Sequence, residues 1–109
     1  MPSAPTKRGF VYILANRRHG TLYTGVTSNL AARMRTHKGA DASGFVRRYG
    51  VTRLVYFEEH DRLTDAIRRE KQVKAWKIRL IESVNPMWEE LFRHGNARPW
   101  IPAFTGMTA

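Results

Sequence analysis

The sequence predicts an α+β fold, with helices packed on a small three-stranded sheet in the order β-β-α-α-β-α-α. Three short runs rich in β-formers, GFVYILA, TLYTGVT and VTRLVYFEE, are separated by segments with helical spacing. No internal repeat divides the 109 residues, and that length suits one domain. Three strands leave apolar faces that helices must cover, and 42% hydrophobic residues are enough to build the core.

Residues 1–8 read as a loose leader. The first strand runs from Gly9 to Ala15, NRRHG turns with Gly20 open to positive φ, and the second strand spans 21–27. Together they form a hairpin with a loop of about five residues. Gly25 interrupts the second strand, which marks a bulge or a close backbone approach. A helix follows, with Ser28 or Asn29 as N-cap, Leu30 and Met34 on its apolar face and Gly39 as C-cap. A short helix from about Ser43 to Tyr49 ends at Gly50, and the third strand covers 51–59. Asp61 or Thr64 caps a long helix that bends near Trp76–Ile78 and reaches Val84. Asn85 and Pro86 then open a last short helix through Trp88 and Leu91. These spans set a domain at 9–92 and a loose tail at 93–109, where prolines and glycines replace periodicity.

The formal net charge of +10 favours a polyanionic partner. Without cysteine there are no disulfides, zinc–thiolate sites or thiol nucleophiles. No stretch approaches the ~20 apolar residues of a membrane span, and no signal-peptide run follows the first charges, so the cytoplasm is the expected compartment. Walker A, G-x-S-x-G, H-E-x-x-H and Rossmann motifs are all missing.

Five side chains stand out. Glu70 falls near the middle of a helix face marked by Leu63, Ala66, Ile67 and Val73. It is either a structural carboxylate paired with Lys74 at i+4, or a metal ligand or base. Arg33 and His37, at i,i+4, leave one side of their helix. They suit a phosphate clamp and a proton-sharing partner, or a surface arginine beside a boundary histidine. Tyr12 and Tyr23 sit on the hairpin strands, where tyrosine is usually a packing residue with a wet hydroxyl.

Taken together, these residues resemble the GIY-YIG nuclease domain, over about residues 9–92. Phe10-Val11-Tyr12 stands for the first motif and Tyr23-Thr24-Gly25 for the second. Arg33 and His37 match the R-x-x-x-H of the family's first helix, Glu70 its central-helix glutamate, and Asn85 a downstream asparagine. The likeness is to small single-domain bacterial members. It implies a metal-dependent endonuclease acting on DNA phosphodiesters, with RNA left open, and one Mg²⁺ (or Mn²⁺) held by Glu70. It also implies water activation by a tyrosine hydroxyl, with Tyr12 favoured as base and Tyr23 as support, or the reverse. Arg33 would neutralise phosphate charge, and His37 would accept the tyrosine proton or orient the phosphate. Gly25 and Asn85 would be supporting residues. The expected state is a monomer or weak dimer, with no membrane and no partner protein. The competing reading is a non-cleaving nucleic-acid-binding module on the same fold; a third is a partner-binding domain that docks through its aromatic tail.

Overall fold

The computed structural model describes residues 7–39, 44–93 and 96–97. An antiparallel sheet of β1 (Gly9–Ala15), β2 (Leu22–Thr27) and β3 (Arg53–His60) lies in the order β2-β1-β3. Between β2 and β3 come α1 (Leu30–Lys38) and α2 (Gly44–Tyr49); α3 (Leu63–Val84) follows. Two-residue strands β4 (Phe92–Arg93) and β5 (Asn96–Ala97) pair with each other. This is the α+β architecture that the sequence predicts.

β1 is central, so both of its faces are buried, and strand alternation assigns them. Val11, Ile13 and Ala15 pack with Ala66, Val73 and Ile81 of α3 and with Trp88. Tyr12 and Leu14 point the other way, into a cluster with Leu30 and Met34 of α1, Val46 of α2 and Leu54. A register shift in β1–β3 between Ile13 and Leu14 leaves Val55 as the extra residue of a bulge. The start of α3 rests directly on β1. A Cβ on Gly9 would stand 2.7 Å from Leu63 Cα and 2.8 Å from Ala66 Cβ, so the approach requires glycine.

α1 starts at Asn29, whose side chain accepts from the Ala32 amide, and α2 ends at Gly50 with φ +63. Trp76 (φ −116, ψ 19) breaks the helical geometry of α3 where the sequence suggests a bend. Several local expectations fail. Neither Asp61 nor Thr64 caps α3. Arg62 occupies the cap position without a side-chain bond, and the Leu63 amide donates instead to Lys7 O at 2.8 Å. Ile67 is 56% exposed, because the buried stripe runs Ala66, Val73, Ile81 and Ile67 lies a further ~100° round the helix. In the first hairpin the positive φ falls on His19, not Gly20. At 85–91 no helix forms. Asn85 closes a turn by accepting the Glu89 amide, Trp88 adopts φ 56, and the Leu91 amide donates to Leu54 O. These bonds tie the segment to β3 and leave no helical ladder. Of the expected leader and tail, residues 1–6, 94–95 and 98–109 lie outside the described residues, as does Ser43 at the expected start of α2.

Candidate functional site

Strand alternation sends Tyr12 towards α1, and the i,i+4 spacing of α1 brings Arg33 and His37 to the same side. Tyr12 Oη lies 3.0 Å from His37 Nε2 in a buried hydrogen bond. Tyr23, on the neighbouring strand, is half-buried; its ring centroid is 6.3 Å from that of Tyr12 and 5.6 Å from that of His37. Gly25 is the cross-strand partner of Tyr12. A Cβ there would stand 2.5 Å from the Tyr12 hydroxyl oxygen, so the phenol occupies the space that glycine leaves open. The expected close approach is thus made by a side chain, with the β1–β2 register unbroken.

Burial pushes the Tyr12 hydroxyl well above its ordinary pKa, and Tyr23 adds to that; Arg33 opposes it by charge and hydrogen bonding. Burial also lowers His37, and the positive charges of Arg33 and Lys38 lower it further. A neutral phenol therefore faces a neutral imidazole. His37 Nδ1 is buried with no hydrogen-bond partner, so the ring is held through Nε2 alone. When Nε2 accepts from Tyr12, Nδ1 carries the imidazole proton. The arrangement can pass a proton from Tyr12 to His37, with a cation beside both.

Glu70 projects from the inner side of α3 between Ala66 and Val73, with its side chain 27% exposed and Lys74 Nζ 3.6 Å away. The i,i+4 pair anticipated from the sequence is therefore present. α3 covers the opposite face of the sheet from α1, and no hydrogen bond or ion pair joins Glu70 to the Tyr12–His37 pair. Among the described residues no group of three His, Asp or Glu side chains could enclose a metal ion. A single half-buried carboxylate still fits Mg²⁺, which keeps several waters and takes one or two carboxylates together with substrate phosphate. Asn85 is buried, and its amide is fully engaged: Nδ2 donates to Val55 O (3.0 Å) and Glu89 O (2.9 Å). It fixes the turn after α3 to β3.

A second polar group escaped sequence reasoning. Glu58 accepts two parallel bonds from Arg69 (Nε to Oε1 at 3.0 Å, Nη2 to Oε2 at 2.8 Å) and one from the Tyr56 hydroxyl, and it lies 3.0 Å from His60 Nε2. Burial alone would raise this carboxyl. The bonds from Arg69, Tyr56 and His60 outweigh it and hold Glu58 below the ordinary value. The forked pair pins α3 to β3 one residue before Glu70. The available signal was alternation, since Tyr56, Glu58 and His60 share one face of β3.

The family model described as the GIY-YIG catalytic domain matches residues 8–82. A UPF0213 protein of Staphylococcus haemolyticus is 32% identical over 77 residues, 67% of this chain and 93% of that protein. One from Clostridium perfringens is 36% identical over 78 residues, 68% of this chain and 83% of the relative. Another, from Staphylococcus aureus, is 31% identical over 77 residues, 67% and 93% of the two chains. No solved structure matches the chain. No helix among the described residues is long and apolar enough to cross a membrane. With its matched strands and helices, its paired tyrosines and the R-x-x-x-H of α1, the chain belongs to the GIY-YIG family of nuclease-type catalytic domains, whose substrate is nucleic acid.

Proposed function

We propose that this chain is a divalent-metal-dependent endonuclease that hydrolyses DNA phosphodiesters, with residues 9–92 as the nuclease unit. The observation that carries the reading is the buried Tyr12–His37 hydrogen bond beside Arg33. Burial of Tyr12 argues against a standing phenolate and supports a relay. Tyr12 is fully buried in the free chain, so the β2 edge must give at Tyr23 and Gly25 before water reaches its hydroxyl; Tyr12 Oη then takes a proton from the attacking water while its own proton passes to His37 Nε2. Water oxygen bonds to phosphorus, and the bond from phosphorus to the leaving oxygen breaks. Arg33 offsets the charge that builds on the phosphate. Tyr23, the more exposed tyrosine, positions substrate, and Gly25 keeps the Tyr12 hydroxyl in place. Glu70 would hold the metal, Mg²⁺ or Mn²⁺, which when bound stabilises charge on the departing oxygen. Glu70 and the Tyr12–His37 pair share no bond of their own, so the metal role of Glu70 and the relay are tested separately, by Glu70→Ala and by Tyr12→Phe.

The test is plasmid nicking with Mg²⁺, Mn²⁺ or EDTA, run beside Glu70→Ala. Metal-dependent nicking lost in the variant is the expected result. Equal nicking by both proteins removes Glu70 from the reaction. The Glu70–Lys74 ion pair favours one other reading, a nucleic-acid-binding module that does not cut. That reading predicts salt-sensitive binding with no nicking and no dependence on Glu70.

A further inference from the structure

Aromatic rings run outward from the buried Tyr12 hydroxyl in an unbroken series. Beyond Tyr23, the Phe45 ring lies 5.6 Å away, and Tyr49 is 4.8 Å from Phe45. The inner end of the series is buried, whereas Phe45 is 42% and Tyr49 43% exposed. The Arg48 guanidinium lies 5.6 Å from the centre of the Tyr49 ring. α2 contributes one buried side chain, Val46, to the core, so its anchoring does not call for two further rings at the surface. A single exposed aromatic is ordinary. Here two are adjacent, joined through Tyr23 to the candidate reaction centre, and accompanied by a cation.

We propose that Phe45 and Tyr49 form a stacking subsite for a nucleobase of the substrate, next to the nucleotide whose phosphate meets Tyr12 and His37, with Arg48 reaching its phosphate. The proposal rests on the nuclease reading of the site. Flat exposed rings suit a base because every base offers a π-face, and an arginine at the outer end suits the attached phosphate. The net charge of +10 favours this polyanionic occupant over an apolar protein surface. Tyr23 touches both groups of rings, so a base seated on Phe45 would be one ring removed from the Tyr12–His37 bond. The subsite would therefore select which phosphate is presented for cleavage.

The test uses full-length Glu70→Ala protein in EDTA, where no cutting interferes. The probes are oligonucleotides with one 2-aminopurine, single-stranded or opposite a mismatch in a duplex; its fluorescence falls when it stacks. Quenching at one or two adjacent probe positions is expected. Adding Phe45→Leu and Tyr49→Leu, which keep apolar bulk without a ring, should abolish the quenching and weaken binding roughly 5- to 150-fold. An abasic nucleotide at the quenched position should weaken the ring-containing protein similarly and leave the leucine variant nearly unaffected. Circular dichroism checks that the leucine variant is folded. Equal quenching by both proteins overturns the proposal, as does a leucine effect that is the same with or without the base. The two readings fail separately. Quenching without cleavage by the Glu70 protein in Mg²⁺ or Mn²⁺ removes the nuclease reading and keeps the subsite; cleavage without quenching does the reverse.

Discussion

Gly25→Ala tests the geometry of the Tyr12 pocket. The added methyl would stand 2.5 Å from Tyr12 Oη and 2.6 Å from Cζ, distances at which something must move. Tyr12 is completely buried, with the His37 and Tyr23 rings beside it, so the phenol has no vacant direction. Overpacking of this kind costs about 1–3 kcal/mol. Displacing the phenol also weakens the bond to His37, about 0.5–1.5 kcal/mol. Against this, alanine restricts the unfolded chain and returns about 0.4–1 kcal/mol. The last two nearly cancel, leaving a net loss of about 1–3 kcal/mol. At ~4–8 °C per kcal/mol for a domain this size, the melting temperature should fall by roughly 5–20 °C. Thermal denaturation followed by circular dichroism measures it, and nicking under conditions where the variant is folded should drop at least ~10-fold, because Tyr12 is displaced. A variant that melts with the parent and nicks at the same rate would refute the claim that Tyr12 fills the space above Gly25.

Other outcomes follow from the same contacts. Tyr12→Phe should keep the fold and nucleic-acid binding but lose nicking, at a stability cost of about 1–3 kcal/mol for leaving the His37 ring without a partner; retained nicking takes Tyr12 out of the relay. His37 titrates below its ordinary 6.5 in the folded chain, so the unfolded chain binds more protons as pH falls from about 6.5. Denaturant titrations should therefore show a stability loss over that window that His37→Asn reduces; an unchanged slope would contradict the burial of the ring. Glu58→Gln leaves Arg69 without its forked partner and should lower stability by about 1–3 kcal/mol, since the pair is only partly shielded from water. It should also weaken the acid sensitivity that comes from a carboxyl held below its ordinary value. A melting temperature unchanged by Glu58→Gln would mean that the pair does not hold α3.

The parts of the fold that local pattern controls could be read from the sequence. The hairpin, α1 with Asn29 as its cap and the bend near Trp76 follow from alternation, capping and broken periodicity. The turn at 85–91 could not. Asn85-Pro86 is a sound local helix signal, but it is outcompeted by bonds to Val55 and Leu54, thirty or more residues away in sequence. The site divides the same way. The common side of Arg33 and His37 and the inner position of Glu70 are properties of single helices. That α1 and α3 cover opposite faces of the sheet is a property of topology, as is the Glu58–Arg69 fork. Gly25 announced a close approach, but the identity of the approaching group needed the β1–β2 register.

The position of β2 has a consequence for how the hairpin exchanges its amide protons. β1 is held by ladders on both sides, β2 by one. Opening that single ladder would release Tyr23 and Gly25 while β1 stayed between the two clusters, with Tyr12 held in the one that α1 lines. Deuterium should therefore enter β2, and the β1 amides that donate to it, through a local event well below the free energy of global unfolding, and reach the β1 amides that donate to β3 only when the whole domain opens. One tyrosine of the pair thus belongs to the slowest-exchanging strand of the sheet and the other to a strand that frays, so the hairpin joins a fixed hydroxyl to one that can yield to an incoming chain.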